Sequence, residues 1–273
     1  MSGASDNALI GDGAARAQRS IDINCDLGES PERLSDGTDF AMLDRVTSAN
    51  IACGGHAGDE HSMRQMIRAA SERGVAVGAH PSFPDRARFG RVEMEVSDAE
   101  IERFVGEQVR AFAGIARDTG ARVVHVKPHG ALYHAAMAKE HVAAAIGRAV
   151  LSVDAGLIVV GIAGSPGEMA LGLWRRMGLR VAPEAFADRV YEPSGLLRPR
   201  TLAGALITEP ARAAEQAVEI AMGRGVETSG GRIAVPRTAT ICFHSDTPEA
   251  PAIARAVREA IESAGIKMKS LGE

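Results

Sequence analysis

From Ile21 onward the chain alternates short runs rich in branched aliphatics with longer stretches of helical period, and that rhythm confines it to repeated βα units around a parallel sheet. The strand-like runs cover 21–26, 48–53, 74–80, 122–128, 157–163, 179–185 and 238–244. Amphipathic stretches at 59–72, 97–118, 138–151, 166–177, 209–223 and 248–264 lie between them. About seven strands in 273 residues, with no repeat, low-complexity tract or Pro-rich linker, predict a single-domain α/β fold, a parallel β/α barrel over 21–273. Residues 1–20 lack the apolar core of a secretory signal or anchor and are expected to form a disordered extension.

Local signals support the helix boundaries. Ser97 followed by Glu100 reads as a capping box, and Thr247 before Pro248 places proline in a first helical turn. Gly74, Gly120, Gly178 and Gly265 stand where C-terminal caps belong. The segment 185–208 is the least regular and is expected to supply loops over one mouth of the barrel.

The strand faces carry the functional signal. Alternate residues of a barrel strand face the helices and the interior. In the first strand Ile21, Ile23 and Cys25 share one parity, and Asp22, Asn24 and Asp26 the other. In the fourth, Val124, Val126 and Pro128 alternate with His125, Lys127 and His129; in the last, Ile241 and Phe243 alternate with Cys242, His244 and Asp246. If the apolar sets face the helices, three strands point ionisable groups inward. Such groups cost several kcal/mol unless paired, so they need a reason, and barrel enzymes hold their chemistry at strand C-termini. Asp26, His80, His129, His244 and Asp246 fall there. A purely structural ion-pair network is the competing account.

Composition narrows the partner. A net charge of -4 gives no footprint for nucleic acid or an anionic membrane, and the longest apolar run, Leu157–Ala163, is far too short to span a bilayer. A small molecule fits better. Cys25, Cys53 and Cys242 lack CxxC spacing and read as buried small hydrophobes in a reducing cytoplasm. Lys127 is one of only four lysines.

Loop segments are less decisive. The stretch Ser48–Glu60 contains Cys53-Gly54-Gly55-His56, as compatible with a tight turn as with a binding loop; Asp59 can cap the following helix, and His61 reads as a helix-surface residue. His80 precedes two prolines, Pro81 and Pro84. Arg91 and Arg189 could hold a substrate carboxylate or form rim salt bridges.

Taken together, Asn24-Cys25-Asp26-Leu27-Gly28-Glu29, Ser48–Asp59, Gly78–Asp85, Val126–Tyr133, Phe186-Ala187-Asp188-Arg189 and His244–Pro248 resemble the LamB/YcsF family, the A subunits of bacterial ATP-dependent 5-oxoprolinase. The resemblance spans Ile21 to about Lys267, with departures at Gly55, Val92, His134 and Ser245, where the family usually carries Phe, Arg, Asn and Gly. It implies a distorted barrel similar to the glycoside hydrolase/deacetylase barrel, two partner subunits (B and C), and conversion of 5-oxoproline, water and ATP to glutamate, ADP and phosphate.

Opening a lactam needs activated water, oxyanion stabilisation and a proton for the leaving nitrogen. The expected catalytic set is Asp26 or Asp246 as base, Lys127 as oxyanion- or phosphate-facing cation and His129 as proton donor; Asn24, Asn50, His56, His80, Arg91, Glu184, Arg189 and His244 are expected to contact substrate. The chain has no GxxxxGK[ST] segment, so ATP is expected to bind mainly on the partners. Alternatives are a metal-dependent amide hydrolase, with Asp26 joined by His56, His80 or His129, a non-catalytic substrate-binding subunit, and a Schiff-base enzyme using Lys127.

Overall fold

The computed structural model describes residues 20–235 and 237–273. The expected disordered extension therefore lies outside the described residues, except Ser20, which opens the first strand. In chain order the strands are β1 (Ser20–Leu27), β2 (Ser48–Ala52), β3 (Ala76–His80), β4 (Val123–Val126), β5 (Ile158–Ile162), β6 (Arg180–Phe186), β7 (Val226–Thr228), β8 (Gly231–Ile233), β9 (Thr240–His244) and β10 (Lys267–Met268). Strands β1 to β6 and β9 pair in parallel, and β9 bonds both β6 and β1, closing a seven-stranded barrel. The two-residue β10 extends the outer edge of β1, and β7–β8 is a separate antiparallel hairpin.

The helices are α1 (Pro31–Ser35), α2 (Thr38–Leu43), α3 (Glu60–Glu72), α4 (Asp98–Asp118), α5 (Gly130–Ala138), α6 (Glu140–Val153), α7 (Glu168–Arg176), α8 (Pro210–Ala221) and α9 (Ala250–Ser263). Their apolar faces pack on the outward side of the strands: Ile23, Cys25 and Leu27 of β1 share one buried cluster with Met66, Ile67, Val109 and Val257. The capping boxes form at Ser97–Glu100 and Asp59–Ser62, and Gly74, Gly120, Gly178 and Gly265 take positive φ just past helix ends.

Three expectations need correcting. The helix assigned to 138–151 is α6, which runs Glu140–Val153, and a separate helix, α5, precedes it; Leu132, Tyr133, Ala135, Ala136 and Met137 of α5 are all buried, so it shows no amphipathic period. Pro248 does not open the last helix. Thr247 gives its hydroxyl to Asp188 at 2.6 Å, Glu249 turns left-handed, and α9 starts at Ala250 with Pro251 in its first turn. Val124 does not face the helices: a register shift opposite Val77 and Gly78 makes it a bulge. It packs with Ile158, Val160, Ala182 and Leu271, an apolar cluster near the strand N-termini inside the barrel.

Above that cluster the interior is polar. Asp22, 2% exposed, accepts hydroxyl protons from Thr47 and Ser48 at 2.6 Å and from Thr240. The next layer holds Asn24, Asn50, Glu184 and His125. Gly78 makes room for it: a Cβ there would stand 2.0 Å from His125 Nε2, the atom that bonds Asn50 Oδ1 at 2.7 Å. Among the described residues no helix is long and apolar enough to cross a membrane.

Two outcomes follow from this interior. Gly78→Ala should cost about 1–3 kcal/mol in urea unfolding through overpacking, and adding His125→Ala to it should cost less than the same change in the wild type. Burial pushes Asp22 up to about 6 despite its hydroxyl donors. A carboxyl that is harder to ionise folded than unfolded weakens the fold as pH rises from its unfolded value through its folded one. The wild type should therefore gain on Asp22→Asn by up to about 3 kcal/mol between neutral pH and about pH 4, measured by paired denaturation curves.

Candidate active site

At the C-terminal end of the barrel the interior column becomes a charged cluster. Lys127 Nζ lies 2.9 Å from Asp26 Oδ1 and 2.9 Å from Glu184 Oε1, 3.1 Å from Cys242 Sγ and 3.4 Å from Asn24 Oδ1. Burial would push this amine down, but the Asp26 and Glu184 carboxylates hold it well above its ordinary value. Lys127 is thus a fixed ammonium ion, not the neutral amine that Schiff-base chemistry requires. Asp26 Oδ1 also accepts from Asn50 Nδ2 at 2.7 Å. Burial opposes ionisation of Asp26, yet the His80 and Lys127 charges hold it well below the usual carboxylate range.

The free oxygen of Asp26, Oδ2, faces His80 Nε2 at 3.4 Å and His244 Nε2 at 3.8 Å. His80 Nδ1 donates to the Lys127 carbonyl at 2.7 Å. Burial would lower His80, but Asp26 and Glu29 raise it, and its Nε2–H then donates to His129 Nδ1 at 3.0 Å. The other nitrogen of His129 donates to the Phe89 carbonyl at 3.0 Å. Burial and the neighbouring His56 and His80 keep His129 neutral, well below its ordinary value. Glu29 Oε1 lies 3.0 Å from His56 Nε2, and the His56 and His129 rings stack at 3.7 Å.

Around the mouth the balance turns positive. Arg189 is 4% exposed and gives two of its five donors, on Nε and Nη2, to the carbonyls of Ala205 and Arg198. Among the described residues no carboxylate lies within ion-pair distance of it, and burial beside Arg200 brings it down to about 10, still a cation at neutral pH. Asp246 bonds Arg91 at 2.5 Å and Arg200 at 3.1 Å; burial resists its ionisation, but His244, Arg200 and Arg91 hold it at about 2. His244 Nδ1 faces Asp188 at 3.0 Å, and Asp188 also takes the His244 backbone N–H at 2.9 Å. These groups surround a cavity of about 400 Å³, with Asp26, Lys127, His80 and His129 at its base and Arg91, Arg189, Arg200 and His244 on its walls.

The structure brings Asp26, Lys127, His80, His129, His244, Arg91 and Arg189 to one cavity. It sets Asn24, Asn50 and Glu184 beneath that cavity, fully buried in the network that positions Lys127 and Asp26. His56 belongs to a second cavity, of about 500 Å³, shared with Glu29 and Phe89. Asp246 sits in rim ion pairs. Sequence reasoning passed over Glu29, Asp188, Arg200 and Tyr133. Glu29, Tyr133 and Asp188 stood in quoted motifs without being given a role; Glu29 and Asp188 show no strand parity, because both lie in loops. At Gly55 a Cβ would stand 2.4 Å from Gln108 Oε1 and Ser82 Oγ, so these two side chains close the space beside that turn.

The LamB/YcsF family model matches residues 21–273. A protein of Methylococcus capsulatus that is named as the A subunit of 5-oxoprolinase is 48% identical over 256 residues, covering 93% of this chain and 96% of its own. One of the same name from Pyrococcus furiosus is 40% identical over 253 residues, covering 93% and 98%. The crystal structure of a lactam utilization protein from Thermus thermophilus superposes with a TM-score of 0.83 at 42% identity, covering 92% of this chain and 99% of that one.

Lys127→Met should leave the Asp26 and Glu184 carboxylates buried without a counter-ion and destabilise the fold by about 3–5 kcal/mol in urea unfolding. Adding Glu184→Gln to that variant should recover part of the loss.

Proposed function

Because the chain belongs to the LamB/YcsF family, we propose that it opens the lactam of 5-oxoproline to glutamate as the A subunit of an ATP-dependent complex with two further subunits, B and C. One observation carries this reading: an ionised carboxylate and a fixed ammonium ion, Asp26 and Lys127, lie at the base of an arginine-walled cavity of a size suited to a small anion.

Arg189, a cation with no carboxylate partner among the described residues, is the group we assign to the substrate carboxylate, with Arg200 and Arg91 beside it. Asp26 Oδ2 takes a proton from water as its oxygen attacks the carbonyl carbon. Lys127 supplies the positive charge that steadies the lactam oxygen and the phosphoryl group it carries as the tetrahedral centre forms. As the C–N bond breaks, the leaving nitrogen takes a proton from His244, which Asp188 orients. His244 suits that role better than His129, whose two nitrogens are engaged by the Phe89 carbonyl and His80.

No GxxxxGK[ST] segment exists in the chain. We therefore assign ATP mainly to the partner subunits, which would transfer its γ-phosphoryl group to the lactam oxygen with release of ADP; water attack and C–N cleavage here then leave an acyl phosphate, and a second water releases phosphate from it to give glutamate. The buried free thiols of Cys25, Cys53 and Cys242 are consistent with a cytoplasmic complex.

In the complex reconstituted with its partners, 5-oxoproline should stimulate ATP hydrolysis; no stimulation over the partners alone would sink the proposal, and stimulated hydrolysis by the isolated chain would sink the division of labour. Arg189→Gln should raise KM for 5-oxoproline about tenfold or more with a smaller effect on kcat. Asp26→Asn should lower kcat at least about 100-fold with substrate affinity kept. Loss of affinity alone would mark a subunit that only binds.

A further inference from the structure

The cluster beside Asp26 holds more than the proposed hydrolysis uses. His80 and His129 each commit one ring N–H outward, to the Lys127 and Phe89 carbonyls at 2.7 and 3.0 Å. Their remaining nitrogens, His80 Nε2 and His129 Nδ1, face each other at 3.0 Å. Glu29 Oε1 completes a triangle, 3.7 Å from the first and 3.4 Å from the second. Bonds of about 2.0–2.1 Å to a tetrahedral ion place neighbouring ligand atoms about 3.3 Å apart. The three observed distances bracket that value.

We propose that His80 Nε2, His129 Nδ1 and Glu29 Oε1 form a binding site for one divalent transition-metal ion of zinc-like preference. Two imidazoles and a carboxylate suit such an ion better than magnesium or calcium, which prefer all-oxygen sites. The outward N–H bonds to backbone carbonyls fix ring orientation, as the outer partners of metal-ligating histidines do. His56 is not a fourth ligand in this arrangement. Its ring is stacked on that of His129, at an interplanar angle of 3° and a centroid distance of 3.7 Å, so the two rings cannot both point in-plane lone pairs at one ion. It steadies Glu29 instead, through Nε2 at 3.0 Å. The fourth position is left for water or a ligand, and the residues around it line two cavities: His80 and His129 one, Glu29 and His56 the other. A second donor group, Asp26, Cys242 and His244, is a poorer candidate because the Lys127 ammonium sits 3.1 Å from Cys242 Sγ and 2.9 Å from Asp26.

This assignment stands independently of the proposed reaction and is tested without it. The full chain, stripped with chelator, is titrated with zinc by calorimetry and with cobalt by visible absorption. One ion per chain is expected, with the intense absorption of four-coordinate cobalt and a zinc-dependent rise in Tm. Glu29→Gln and His129→Gln should each weaken binding about tenfold or more, whereas Cys242→Ser should leave it within about twofold. Should His129→Gln fail to fold, Glu29→Gln, at a cavity wall, decides alone. Absence of saturable binding, affinity unchanged in Glu29→Gln, or binding lost in Cys242→Ser would each overturn the site.

Discussion

The buried ammonium ion of Lys127 is the charge on which the rest of the barrel interior depends. Two carboxylates, Asp26 and Glu184, share it at 2.9 Å each, and the amides of Asn24 and Asn50 link them into one network. Without the ammonium ion two buried carboxyl groups would share a low-dielectric interior with no counter-charge between them. With it, Asp26 keeps one oxygen free at the cavity base. The cost of burying the network is offset by an aliphatic shell on the outward strand faces, where Ile23, Cys25, Leu27 and Val126 meet the helices.

Much of this was legible in the sequence, for a definable reason. Seven strand runs and six amphipathic stretches carried their own periodicity, and each appears within a few residues of its expected place. The parity of Asn24, Asp26, His125 and Lys127 by itself marks them as interior groups. What stayed hidden was whatever lacks a period. Helix α5 is buried too completely to show an apolar stripe, and the hairpin Val226–Ile233 is built from two strands of three residues. Membership in a cluster was readable from alternation; depth was not. Asn24, Asn50 and Glu184 lie under the cavity and Asp246 on its rim, a distinction set by strand stagger and by the arginines contributed from distant loops.

The loops divide the labour differently from the strands. Strands deliver Asp26, His80 and His244, whose backbones are held by ladder hydrogen bonds. The irregular stretch 185–208 delivers the cations, Arg189 and Arg200, and buries the first of them by wrapping it in carbonyls. A strand-built base with a loop-built wall is the arrangement expected where chemistry must stay fixed while the bound molecule is selected by charge and shape.

The bulge at Val124 has a consequence for how such a barrel tolerates change. Val124 and His125 both turn inward, one towards the apolar plug and the other towards the polar column. Removing the extra residue would return the strand to strict alternation and still leave His125 and Lys127 facing in, while only the plug lost a side chain. The bulge therefore works as an expansion joint: length differences at the closed end of the barrel are absorbed below it, and the orientation of the reactive end is insulated from them.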